Sequence, residues 1–343
     1  MAQALRLLDG SDEIVLDVDV DDEVTLAAGD LSSGLGWTLK PEGLCRDDVC
    51  VPVRDRSLVE ARAGRVSLAG VAAALDRPLV IDLASGLAAI GPSRASRRQA
   101  LSGGPLPEMT LPTVDGEPVD LASLHGKKVV VTAFATWCGC RDDLPGWQEL
   151  QDELGDDVIV IPVALDEDPE EVRPFADKIR MPVLVDREHL MSDRLGLSNV
   201  PATVWIDERG HVARPPTVAF GTDTWTDFHG VRSAPHFDAI RAWVQSGEIP
   251  EARPNQAAPD DLTDDEESAR LWFRIAAHLR RQNKVEEAKD RFARATELAP
   301  LDFTVARAAM PLTDRDPFGP DFLTLYDRWQ SAGAPFHGLH PDT

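Results

Sequence analysis

The four cysteines of this 343-residue chain fall into two close pairs, Cys45 with Cys50 and Cys138 with Cys140. In a reducing compartment such pairs are more often catalytic or metal-binding than structural staples. The second pair lies in Phe134-Ala135-Thr136-Trp137-Cys138-Gly139-Cys140-Arg141-Asp142-Asp143-Leu144-Pro145, after a strand-like apolar run and ahead of Leu144, Trp147, Leu150 and Leu154, which recur at helical spacing. Thiols at the first turn of a helix meet unpaired amides and the positive end of the helix dipole, which favour the thiolate. A second thiol within reach closes a disulfide, so the pair can exchange electrons through a mixed disulfide. For Cys45 and Cys50 three readings stand open: a second redox pair feeding Cys138 and Cys140, half of a four-thiolate metal site, or inert small hydrophobes or a loop disulfide. Cys-Gly-Cys is a poor second half for tetrahedral zinc, so no metal ligand set is assigned.

Elements must position these thiols. The length implies two or three domains. Residues 1–105 alternate short apolar runs (Glu13–Val18, Leu79–Asp82, Leu87–Ile90) with a helical stretch near Val66–Leu75, which predicts an α+β domain of unknown function. From 106 to 247, apolar runs at Val129–Ala135, Val158–Leu165, Met181–Asp186 and Ala202–Ile206 alternate with amphipathic segments, the pattern of an α/β sheet. Residues 248–268 carry three prolines and eight acidic residues and read as a solvated linker ending in a capping box. Residues 269–343 read as a helical domain. Trp272, Ile275, Ala276, Leu279, Ala288, Phe292, Ala295 and Pro300 have the spacing of a tetratricopeptide repeat, and one such repeat must dock on the α/β domain, on its trailing helices or on a second subunit to bury its faces.

Residues 106–247, about two-fifths of the chain, resemble the thioredoxin superfamily, specifically its TlpA-like or redoxin (AhpC/TSA-type) branch. The resemblance rests on the lead-in Met109–Gly116, the Ala-Thr-Trp-Cys run, Pro145 in the following helix, and Val200-Pro201-Ala202-Thr203 ahead of a strand. It implies a central mixed sheet flanked by helices, thiol-disulfide oxidoreductase activity, and a cis Pro201 that presents backbone to the substrate. The site residues it implies are Cys138 as attacking thiolate, Cys140 as resolving thiol, Trp137, Gly139 and Pro201.

Two departures matter. Trp-Cys-Gly-Cys is one residue shorter than the family's Trp-Cys-x-x-Cys, and closing a disulfide across a single residue predicts a more oxidising couple than thioredoxin. Gly139 then suits a strained turn. Thr132 stands where classical thioredoxins carry a buried Asp, which leaves the proton partner to solvent, Asp142 or Asp143.

The balance of 35 Lys plus Arg against 59 Asp plus Glu gives a net charge of −24, which disfavours nucleic-acid and anionic-membrane partners. The acidic start and strand-length apolar runs predict neither a secretory leader nor a membrane span, hence a cytoplasmic protein. His229 and His236, near Trp225 and Phe228, either line a substrate cleft or sit as ordinary surface or core histidines. The expected activity is exchange with a protein or small-thiol disulfide, with no cofactor and with a protein partner on the tetratricopeptide-like helices. Alternatives are a redox-sensing or soft-metal-binding interaction module, and a thiol peroxidase-like redoxin.

Overall fold

The computed structural model describes residues 2–249 and 261–338, so the proline-rich centre of the expected linker, residues 250–260, lies outside the described residues. The chain forms two compact units, each built from two stretches of sequence: Met1–Ala95 with Asp264–Leu298, and Ser96–Thr263 with Ala299–Thr343.

In the first unit a sheet of six strands runs in the order β7-β3-β2-β1-β9-β8, from β1 (Ala2–Asp9), β2 (Asp12–Val20), β3 (Val24–Ala27), β7 (Arg65–Ser67), β8 (Leu79–Asp82) and β9 (Leu87–Ile90). A small three-stranded sheet, β4 (Thr38–Lys40), β5 (Gly43–Arg46) and β6 (Val49–Val51), lies between β3 and β7 in sequence. Strand alternation sends Leu5, Leu7, Leu16, Val18 and Leu26 into one core with Leu31 and Leu35 of the helix Ala28–Leu35 and Leu68 and Val71 of the helix Leu68–Ala74. All four residues of β9 are buried, so both of its faces need cover.

The second cover is the antiparallel helix pair Asp264–Arg281 and Val285–Leu298, packed on β8 and β9. Of the residues singled out by spacing, Ile275, Ala276, Leu279, Ala288, Phe292 and Ala295 are buried in the pair, Trp272 is half-buried and Pro300 lies beyond it, and Arg291 pairs with Asp82 at 2.8 Å. Arg94 Nε likewise donates to Glu267 at 2.7 Å.

The single helical domain expected over 269–343 is therefore divided. The second helix of the pair stops at Leu298, and Pro300 follows. Phe303, Ala306, Met310, Phe322 and Leu325 then build a separate apolar cluster within the second unit, tied down by Phe303 N–H to Ser198 O at 2.8 Å and Thr304 Oγ1 to Leu197 O at 3.3 Å.

The second unit is centred on the mixed sheet β14-β13-β12-β15-β16, from β12 (Lys128–Phe134), β13 (Val158–Ala164), β14 (Leu184–Val185), β15 (Ala202–Ile206) and β16 (Val212–Thr217), with a lead-in hairpin β10 (Thr110–Pro112) and β11 (Pro118–Asp120). Strands β12, β13 and β14 run parallel, β15 pairs antiparallel with β12 and β16 antiparallel with β15, with β12 at the centre. Trp147 of the helix Leu144–Leu154 and the stacked Trp205 and Trp243, 5.0 Å apart, fill one core. Among the described residues, no helix is long and apolar enough to cross a membrane.

If helix pair and sheet unfold together, truncating their shared core must loosen both. Phe292, buried and edge-to-face with Phe273 at 5.1 Å, is the probe. Phe292→Ala is expected to cost about 3–5 kcal/mol in urea unfolding and to speed amide exchange in β8 and β9 as well as in the helices. Faster exchange confined to the helix Val285–Leu298 would show that the pair is an independent appendage.

Candidate active site

Strand β12 ends at Phe134, and the chain turns through Ala135, Thr136 and Trp137 before Cys138 caps a short 3₁₀ turn, Gly139–Asp143, that leads into the helix Leu144–Leu154. The cysteines thus head a 3₁₀ turn, and the α-helix proper begins four residues after Cys140. Cys138 and Cys140 are joined as a disulfide with their Cα atoms 5.2 Å apart. Both are buried, at 5% and 3% exposure, so the difference in access expected between attacking and resolving thiols is slight. Cys138 Sγ accepts from Cys140 N–H at 3.3 Å and lies 3.5 Å from the Val200 carbonyl oxygen, a distance at which a reduced Cys138 thiol donates a weak hydrogen bond. The Val200–Pro201 peptide is cis, so the structure brings Cys138, Gly139, Cys140 and Pro201 to one place.

Trp137 serves as an anchor, its Nε1 donating to Leu165 O at 3.0 Å. Asp166, one residue further on, accepts from Thr136 N–H at 3.0 Å and from its hydroxyl. Burial pushes the Asp166 carboxyl up to about 7 against those hydrogen bonds. Sequence reasoning passed over Asp166; its signal is an acid immediately after the apolar run of β13, which the parallel pairing of β12 and β13 brings beside the end of β12.

Gly139 has a close neighbour in addition to the turn expected there. Its φ is not positive; a Cβ there would lie 3.0 Å from Trp225 Nε1, which donates to Gly139 O at 3.1 Å and to Asp142 Oδ2 at 3.2 Å. Thr132 is buried in β12 and places no charge near the sulfurs. Asp143 is buried too, and its Oδ1 accepts from Thr222 N–H at 2.9 Å and Thr222 Oγ1 at 2.8 Å. The two histidines part company: His229 stacks on Phe220 with ring centroids 3.6 Å apart and lines the space above the disulfide, while His236 is a core residue.

That space is a cavity of about 530 Å³ wholly within the second unit. Its floor is the Cys-Gly-Cys turn and Pro201; its walls include Trp225, Phe228, Phe322, Tyr326 and Trp329. The segment after Pro300 thus roofs the dithiol, a role its broken periodicity did not disclose.

Cys45 and Cys50 sit apart, in the first unit. They face each other across the β5–β6 hairpin, Cα atoms 4.0 Å apart, as a disulfide. A disulfide there is what both the redox-pair and the loop-disulfide readings of that pair require. Glu42 is the one acidic group close to both sulfurs among the described residues.

The AhpC/TSA family model matches residues 102–214. Over these residues the chain is similar to the redoxin branch of the thioredoxin superfamily. The redoxin domain is similar to the thioredoxin-like protein YneN of Bacillus subtilis, 34% identical over 110 residues, covering 30% of this chain and 64% of YneN, so the chain spans just under two thirds of that relative's length. It is also similar to the thiol-disulfide oxidoreductase ResA of Halalkalibacterium halodurans, 28% identical over 142 residues, covering 40% of this chain and 81% of ResA. Among solved structures, a secreted Mycobacterium tuberculosis disulfide oxidoreductase homologous to E. coli DsbE is 25% identical with a TM-score of 0.29, over 31% of this chain and 81% of that one.

Burial, with a smaller contribution from Asp142, pushes the Asp143 carboxyl up from 3.8 to about 6, although its Thr222 hydrogen bonds and the Gly221 amide pull the other way. A carboxyl whose pKa is raised by folding costs nothing below its unfolded value and destabilises the fold as pH rises toward the folded one. Asp143→Asn is neutral throughout. The stability of this variant relative to the native protein should therefore rise between about pH 4 and 6 and level off above, by on the order of 3 kcal/mol. Urea midpoints across that range check this, and a pH-independent difference would refute it.

Proposed function

We propose that this protein is a thiol-disulfide oxidoreductase whose working couple is Cys138–Cys140. The observation that carries the reading is the pairing of these two sulfurs in the 3₁₀ turn that leads into the helix Leu144–Leu154, against the Val200–Pro201 loop and under an open cavity. Cys138, as thiolate, attacks a sulfur of the partner disulfide. The S–S bond breaks, one partner thiolate leaves, and a mixed disulfide forms on Cys138. Cys140, as thiolate, then attacks Cys138 Sγ, expels the second partner thiolate and closes the intramolecular disulfide. The partner gains two electrons, and an external thiol reductant restores the dithiol. Trp137 and Asp166 fix the approach to Cys138, Gly139 leaves room for Trp225, and Pro201 borders the floor where the partner sulfur must arrive. The partner is a protein or small-thiol disulfide, and no cofactor takes part. The helix pair Asp264–Leu298 is read as a tetratricopeptide-like element that holds a protein partner, its polar outer face doing the binding while its inner face covers β8 and β9.

Equilibration across glutathione buffers, alkylation of free thiols and peptide mass spectrometry test the couple. Cys138 and Cys140 should oxidise together, and the one-residue spacing in the sequence predicts a midpoint above the roughly −270 mV of thioredoxin. Cys138→Ser should abolish turnover, with a loss of at least about a hundredfold, whereas Cys140→Ser should accumulate a mixed disulfide on Cys138. Thiols that stay reduced throughout the series would replace exchange by the sensing or binding-module reading.

A further inference from the structure

The cavity over the dithiol contains a charge that the exchange reaction does not account for. Arg307 lines it at 6% exposure, and its Nε donates to Pro317 O at 3.1 Å. Its guanidinium carbon lies 3.6 Å from the centre of the Phe322 ring and 5.3 Å from that of Phe318. Among the described residues no carboxylate pairs with it, and the charged group that acts on it is Arg141, of like sign. Burial and Arg141 push its pKa down to about 9, so it stays charged at neutral pH. A buried cation without a counter-charge is costly, and the faces of aromatic rings offset only part of that cost.

Three features therefore converge on one occupant. The aromatic walls suit a flat apolar body, the guanidinium suits a carboxylate or sulfonate, and the disulfide at the floor requires sulfur. Resting on the exchange reading above, we propose that the cavity takes a low-molecular-weight aromatic disulfide bearing an anionic group, held by Arg307 while its sulfur meets Cys138. The size of the cavity favours a small molecule over an extended chain. A volume of about 530 Å³ accommodates one or two substituted rings, and Phe322, Tyr326 and Trp329 line the same space as Pro201. The step balances as before: Cys138 forms the mixed disulfide and releases one aromatic thiolate, and Cys140 releases the other as the dithiol is oxidised. Aromatic thiolates, being weakly basic, leave readily.

Binding is tested first on the oxidised full-length protein, where no exchange occurs. Titration calorimetry should give 1-naphthoate at least tenfold tighter binding than the neutral 1-naphthalenemethanol, with the preference lost in Arg307→Gln and kept in Arg307→Lys. Reaction is tested second, on reduced protein carrying Cys45→Ser and Cys50→Ser, by stopped flow. The ratio of the rate with 5,5′-dithiobis(2-nitrobenzoate) to that with neutral 2,2′-dithiodipyridine should fall at least tenfold in Arg307→Gln. Equal binding of the two naphthalene compounds by the native protein, which needs no folded variant, overturns the proposal. So does faster reaction with an acidic, aromatic peptide disulfide than with the small anionic one, which would assign the cavity to a protein chain. A dithiol that titrates normally in glutathione while the cavity shows no anion preference removes this proposal alone; a dithiol inert to glutathione removes the exchange reading instead.

Discussion

The turn that carries the two sulfurs is largely buried, and a buried backbone must find a partner for each of its polar groups. That requirement organises the site. Thr136 N–H and hydroxyl go to Asp166, Thr136 O receives Arg141 Nη1 at 2.6 Å, and Trp137 Nε1 goes to Leu165 O. Cys138 N–H returns to Ala135 O at 3.1 Å, Arg141 N–H reaches Cys138 O at 3.3 Å, and Trp225 Nε1 closes on Gly139 O. Two of these partners, Leu165 and Asp166, stand at the end of the adjacent parallel strand, so the register of β12 on β13 sets the position of Cys138. A register shift would withdraw several hydrogen bonds from one turn at once.

The same burial explains the cluster of protonatable carboxyls in the second unit. Asp143, Asp166 and Asp186 are each desolvated and raised to about 6, 7 and 6, and each is held by amides of a turn or helix start: Thr222, Thr136, and Leu190 with Met191. These are structural acceptors, placed where loops would otherwise bury unsatisfied N–H groups. Their ionisation penalises the fold between about pH 4 and 7, so the unit stores part of its pH sensitivity in the scaffolding of its site rather than in the sulfurs.

Local signals made much of this legible from residues alone. The strands β8, β9, β12, β13 and β15 announce themselves as apolar runs, and the dithiol turn and Pro201 carry spacing that few other arrangements share. The helix pair was readable for the same reason, since Phe292 and Ala295 obey a helical period. Long-range consequences were not readable. That β9 needs cover on both faces follows from its four apolar residues, but which segment supplies it depends on chain returning after more than 170 residues. Arg307 sits in an apolar stretch broken by prolines and looks like any surface arginine until Phe322 and Phe318 are seen packed on it. The contact of Trp225 with Gly139 was hidden for a similar reason, because Trp225 approaches from 86 residues away.

The roof also changes what the redoxin domain can accept. A dithiol on an open surface selects partners by the shape of whatever docks, and two long-lived thiols there are exposed to every disulfide in solution. Residues 299–338 replace that surface by a walled chamber in which Cys138 and Cys140 are nearly inaccessible from bulk water. Selection then shifts from docking to entry. On the proposal above, an oxidant fits between aromatic faces and meets a guanidinium that pairs with no carboxylate among the described residues, and a neutral disulfide would bury that charge with nothing to offset it. In that proposal the Arg307 charge would act on specificity twice, by attracting the anion and by penalising the neutral competitor.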